Sequence, residues 1–228
     1  MSVFNPHTNL KGVAKKSMNN KIDHIAVGAD TLEAGVDAMH SLLGVSLTQG
    51  GKHDLMSTHN RVMQAGNERF FELIARDPDA PEPARTRWFT LDDSKTLQRL
   101  TERPRALCWV VNTDDLDTVV AASPVDLGEI VTFTRGNRSW RLTVPADGHL
   151  PEAGLLPAFI EWSPGPHPST AQQDQGVSLS SVNLSHPDPG KLLSQLQQLQ
   201  IESLATVSKG AVGLSFTLET PKGSVILD

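Results

Sequence analysis

The chain has 228 residues, 38% of them apolar and 20% charged, enough to bury the core of one large domain or of several small units. Its net charge of −6 and the lack of any dense Lys/Arg run exclude a general nucleic-acid binder, and no apolar run is long enough to span a membrane. The single cysteine, Cys108, excludes an internal disulfide and fits a reducing, cytoplasmic setting.

Residues 1–20 carry Lys11, Lys15 and Lys16 without a hydrophobic stretch, so a flexible arm is expected there rather than a secretory signal. From Ile22 to Val27 a period of two groups Ile22, His24 and Ala26 against Ile25 and Val27. A helix follows, with Asp30 as its expected N-cap, apolar positions at Leu32, Val36, Met39, Leu42 and Leu43, and Gly44 to end it. Val45–Thr48 reads as a short strand, Gly50-Gly51 as a turn, and Asn60–Gln64 as another strand. In the last strand, Phe70, Glu72 and Ile74 alternate with Phe71, Leu73 and Ala75. The unit is β-α-β-β-β. A carboxylate on an apolar face is costly to bury unless it is paired or metal-bound, which singles out Glu72 and, with it, His24.

The connector 77–104 holds a Pro-rich, charged loop (Asp77–Arg87), then Trp88 and Phe89, then a helix from Asp92 to Glu102 that Pro104 stops. A second unit, 105–163, repeats the first. ALCWVVNTDDLDTVV aligns with IDHIAVGADTLEAGV when Asp114 is matched to Asp30, which sets Cys108 opposite His24. A helix at Asp115–Ala122 and strands at Gly128–Arg135, Arg138–Val144 and Leu156–Trp162 complete it, with Glu161 placed where Glu72 stands. After a polar linker, 164–175, a third and shorter unit covers 176–228. It has a strand at Val177–Leu184, Asp188 as N-cap, a leucine stripe (Leu192, Leu193, Leu196, Leu199) and three more strands. Three units leave one without a partner, so a homodimer is expected.

The motifs DHIAVGA, GGKH followed by THN, FFELIA, LPAFIEW and HPDP, in that order from Lys21 to Leu199, resemble the glyoxalase-like branch of the vicinal-oxygen-chelate superfamily. The resemblance implies an α+β fold of tandem βαβββ modules whose curled mixed sheets surround a concave site. Many members hold a divalent metal there through the first and last strands of the modules, the positions of His24 and Glu72. Metal-binding relatives usually offer His, Gln or Glu where this chain has Cys108, which is a departure from the family pattern.

The resulting candidates are His24, Glu72 and Glu161 as ligands of Zn, Fe, Mn or Ni, with Glu72 and Glu161 as the catalytic carboxylates of a lyase, isomerase or dioxygenase. A His–Glu hydrogen bond that merely tethers two strands uses the same first pair, and Glu161 is equally an exposed acid at a strand end. His53, His59 and Asn60 are expected near the pocket, and Trp109, with Trp88, Phe89 or Trp162, in its wall. Arg138 and Arg141 flank Trp140 and are candidates to receive an anionic substrate, although alternation keeps them from facing one cavity together. No serine nucleophile elbow, phosphate loop or HExxH helix is present. Two readings follow. One is a metal-dependent enzyme acting on a small oxygenated metabolite; the other is a non-catalytic protein that sequesters a small molecule in the same cavity.

Overall fold

The computed structural model describes residues 18–228, and in it the first unit runs β1 (Lys21–Gly28), α1 (Leu32–Leu43), β2 (Thr48–His53), β3 (Thr58–Gln64) and β4 (Phe70–Arg76). Helix α1 buries Leu32, Met39 and Leu43 on one stripe, and Gly44 closes it in the left-handed region at φ 77°. Its N-cap is Thr31 rather than Asp30: the extended Thr31 accepts from the Ala34 N–H at 3.2 Å. Gly50-Gly51 is not a turn either. Both glycines lie inside β2, next to an irregularity between Gln49 and Lys52, because a Cβ at Gly50 would collide with Asn60 of the neighbouring strand.

The second unit follows the connector helix α2 (Ser94–Glu102). It comprises β5 (Arg105–Asn112), α3 (Leu116–Ala122), β6 (Glu129–Arg135), β7 (Arg138–Val144) and β8 (Ala158–Trp162). The two units share one eight-stranded sheet in the order β2-β3-β4-β1-β5-β8-β7-β6. In each half the first and last strands are parallel, and the antiparallel pair β1–β5 joins the halves. His24 pairs with Val110 and Ala26 with Cys108, so an approximate two-fold axis makes His24 equivalent to Cys108, as the repeat predicts. The same axis carries the pair Ala26–Glu72 onto Val110–Ala158. The counterpart of Glu72 is therefore Ala158. Glu161 lies three residues further on, and an odd shift along a strand puts it on the other face.

Each face of the sheet has its own core. The outer face carries Ile25, Val27, Phe71, Leu73, Trp109 and Phe159 under α1 and α3. The inner face carries Ala26, Ile74, Cys108, Val110, Ala158 and Ile160, partly covered by Trp88, Phe89 and Leu91 of the connector. The third unit, β9 (Ser178–His186), α4 (Pro189–Gln198), β10 (Thr206–Lys209), β11 (Gly213–Thr220) and β12 (Gly223–Leu227), keeps the β-α-β-β-β order of elements. Its pairing differs: the sheet runs β10-β9-β11-β12, with β9 parallel to β10 rather than to the last strand. Leu184, Phe216 and Leu218 of this sheet, with Leu192 and Leu196 of α4, join the outer-face core. The third unit thus packs against the large sheet of its own chain, while β10 and β12 form the edges of its own sheet. The expected N-terminal arm lies, up to residue 17, outside the described residues. Its last part is docked, with Met18 buried and the Asn20 amide donating to Leu199 O at 3.0 Å. Among the described residues no helix is long and apolar enough to cross a membrane.

Candidate functional site

The site begins with a break in the alternation of β1. Ile22 pairs with Val111 and His24 with Val110, leaving Asp23 as the extra residue of a β-bulge. Ile22 consequently joins Ile25 and Val27 in the outer core rather than sharing a face with His24. Asp23 is 0% exposed and is fully engaged. One carboxylate oxygen lies 2.6 Å from His24 Nδ1; the other accepts from Trp162 Nε1 at 2.7 Å and Asn112 Nδ2 at 3.1 Å, and lies 3.0 Å from His167 Nε2. Burial pushes the Asp23 carboxyl up, but the bonds to His167 and His24 and the field of both rings outweigh it and hold the group below the usual carboxylate range. An ionised acceptor at Nδ1 places the hydrogen of His24 there. That leaves Nε2 facing the inner surface, 3.7 Å from Glu72 Oε2, while the ring stacks on Phe70 at 4.3 Å.

Glu72 is positioned by β3. The Gly51 N–H donates to Asn60 Oδ1 at 2.7 Å, which fixes the amide so that Nδ2 donates to Glu72 Oε1 at 2.5 Å. His53 Nε2 is 3.9 Å from the same oxygen, and its Nδ1 is 3.0 Å from Thr58 Oγ1. Burial pushes the His53 imidazole down to about 4, so it stays neutral at physiological pH. One wall of the site is therefore polar: His24, Glu72, Asn60 and His53, backed by Asp23.

The opposite wall is aromatic. Trp88 stacks on Phe89 at 5.3 Å and meets Phe133 at 5.1 Å; Phe133 stacks on Trp140 at 5.6 Å, and Trp140 meets Trp162 at 5.3 Å. Arg135, at the end of β6, reaches across to Gly51 and lies 5.9 Å from the Trp140 ring, without an ionic partner among the described residues. The glycine leaves room for this guanidinium. Together these walls enclose a cavity of about 70 Å³, whose rim includes Pro168 and Gln172.

The structure gathers some of the sequence-predicted residues and disperses others. His24, Glu72, His53, Asn60, Trp88, Phe89 and Trp162 line the cavity. Glu161 does not: it accepts from the Leu116 N–H at 2.8 Å and from Arg141 at 2.9 Å, on the outer face at the start of α3. Arg141 also bonds Asp117 at 2.7 Å and is committed there. Trp109 is 0% exposed in the outer core, donating to Leu155 O at 3.0 Å, because its neighbours Cys108 and Val110 take the inner face. His59, one residue from Asn60, turns outward towards Asp77 and Arg76, and Arg138 is not part of the lining. Sequence reasoning missed Asp23, Arg135, Trp140 and His167. No local signal marked Asp23: apolar Ile22 and Ile25 also fit plain alternation, and only pairing with β5 creates the bulge. His167 and Gln172 come from what reads as a plain linker.

The donor set for a metal is incomplete. His24 and Glu72 occupy the first-half positions, but their two-fold counterparts are Cys108 and Ala158. Burial drives the Cys108 thiol far above its ordinary range, its Sγ–H is spent on Trp109 O at 3.1 Å, and Ala158 offers nothing. Among the described residues no group of three or more His, Cys, Asp or Glu side chains is arranged to hold an ion. The residues present do not fit the multi-donor centre that the resemblance implies.

Comparison with known proteins agrees with this architecture. The family described as "Glyoxalase-like domain" matches residues 22–200. No curated protein matches the chain. Among solved structures, a hypothetical protein from Staphylococcus aureus is similar at 17% identity and TM-score 0.55, over 91% of this chain and 84% of that one. Methylmalonyl-CoA epimerase from Mycobacterium tuberculosis is similar at 19% identity and TM-score 0.39, over 66% and 91%. A hypothetical protein from Bacillus halodurans reaches 14% and 0.39, over 65% and 96%.

Proposed function

Because the chain belongs to the glyoxalase-like domain family, we propose that its cavity takes a small oxygenated metabolite and that His24 and Glu72 move a proton on it, the chemistry of an isomerase or lyase. One observation carries this reading: the bulge at Asp23, which places a buried, ionised carboxylate behind His24 Nδ1. A tether between two strands would not need it. Nε2 takes a proton from the carbon next to a ligand carbonyl, and the imidazolium so formed is stabilised by Asp23 on one side and Glu72 on the other. The ligand is left as an enolate whose charge faces Arg135, and return of the proton to the neighbouring atom completes an isomerisation.

The test is deuterium wash-in at carbon, followed by proton NMR, over a panel of small α-hydroxy and α-keto acids. At least one is expected to exchange, with His24→Gln and Glu72→Gln slowing it on the order of 100-fold or more. With no group of three donors arranged to hold an ion among the described residues, exchange is expected to survive chelation; loss on chelation and recovery with zinc would assign an ion a role. The aromatic wall favours a second reading, sequestration of a small aromatic compound. Tight binding without exchange, unchanged in His24→Gln, would select it.

A further inference from the structure

Behind Phe89 lies a second cavity of about 210 Å³, three times the 70 Å³ of the one at His24, and Phe89 is a wall of both. We propose that it is a binding compartment for a small anionic amphiphile, an aryl or short-chain alkyl carboxylate, and that it works independently of the chemistry at His24.

Its floor is apolar, from Leu100, Leu107 and Leu150, and its rim is basic, from Arg99, Arg105 and His149. The one carboxylate in the lining, Asp93, is already spent capping α2, where it accepts from the Thr96 N–H at 2.8 Å. Arg99 has no ionic or hydrogen-bond partner among the described residues. Arg105 gives one terminal nitrogen to Glu102 at 2.8 Å, while its Nε is buried without a partner. An exposed, unpaired guanidinium and a buried donor without a protein partner, beside an apolar floor, suit a ligand with a negative head and a greasy body.

The backbone gives a separate indication. Of the seven non-glycine residues in the left-handed region among the described residues, Phe89 (φ 55°), Thr90 (φ 60°) and Ala153 (φ 56°) line this cavity, and Glu152 (φ 52°) adjoins it. A side chain with a Cβ is strained in this region, and such strain collects at ligand-binding surfaces. The loop is held against it by the Thr90 N–H donating to Gly148 O and the Thr96 hydroxyl donating to Thr90 Oγ1, both at 2.9 Å.

The probe is 4-phenylbutyrate, with 4-phenylbutanol as its neutral counterpart, titrated calorimetrically into the full chain. The carboxylate is expected to bind at least tenfold more tightly than the alcohol. Arg99→Gln with Arg105→Gln, at the rim, should abolish that preference, and Thr96→Phe, which fills the space from the helix side, should weaken both ligands tenfold or more. His24→Gln should change neither. Equal affinities in the wild type, no binding of either probe at millimolar concentration, an unaltered preference in the double arginine variant, or loss of binding in His24→Gln would overturn the proposal.

Discussion

In the first half of the eight-stranded sheet the inner positions of the parallel strands β1 and β4 carry His24 and Glu72; in the second half the equivalent positions of β5 and β8 carry Cys108 and Ala158. The two halves share strand order, pairing and helix placement, yet one presents a polar wall and the other Phe133, Trp140 and Trp162. The scaffold is duplicated and its polar side chains are not. A repeat of backbone fixes where a side chain can point, while the residue type at that point decides whether the position reacts or only packs.

The largest expected difference between the halves is in stability. Asp23→Ala strands two histidines and two N–H donors in a buried site and should cost about 3–5 kcal/mol, the penalty of breaking a buried charged network. Cys108→Ala removes one buried sulfur from the equivalent strand and should cost about 1 kcal/mol. Urea melts of both variants check this, and similar losses would mean that the polar wall is no more tightly built than the apolar one.

His53 supplies a pH dependence on the polar side. Its imidazole is held down to about 4 in the fold against 6.5 for an unperturbed histidine, so between those values the unfolded chain binds the additional proton. Stability should fall as pH drops from 6.5 towards 4, by roughly 3 kcal/mol at most. Asp23, depressed in the fold, keeps its contribution throughout that window and loses it only at lower pH. Denaturation midpoints at pH 7.5 and 4.5 should therefore diverge in the wild type and converge in His53→Asn.

The halves can also be made alike. Cys108→His with Ala158→Glu places the same donor pair on each side of the two-fold axis, and affinity for zinc should rise on the order of 100-fold over the wild type. Unchanged affinity in a folded double variant would mean that the paired ladders do not bring the four positions around one point. The smallest effect is expected at Glu161. It serves Leu116 and Arg141 on the outer face, so Glu161→Gln should cost under about 1 kcal/mol and leave ligand binding intact.

What the sequence made legible was local. The alternation in β1 and β4 brought His24 and Glu72 to one face, and the leucine and methionine spacing located α1. Contacts made by distant strands were not legible. The bulge that turns Asp23 towards His24 exists only in pairing with β5, so a strict period of two placed Ile22 on the wrong face. The match of Glu161 to Glu72 followed the acids rather than the apolar frame: setting Leu73 and Ile74 on Phe159 and Ile160 gives the observed register. Trp109 was lost from the pocket for a related reason, since Cys108 and Val110 on either side of it take the inner face. The strand order of the third unit and the return of His167 to Asp23 are tertiary choices that no local pattern encodes.

The most direct test of the unequal halves is to follow carbon-bound deuterium wash-in, on whichever panel member exchanges, in His24→Gln and Cys108→Ala side by side. The two substitutions fall on equivalent positions of equivalent strands. Exchange should drop on the order of 100-fold or more in His24→Gln and stay within about twofold of wild type in Cys108→Ala. Equal loss in the two variants, or full exchange in His24→Gln, would contradict the assignment of the chemistry to the first half.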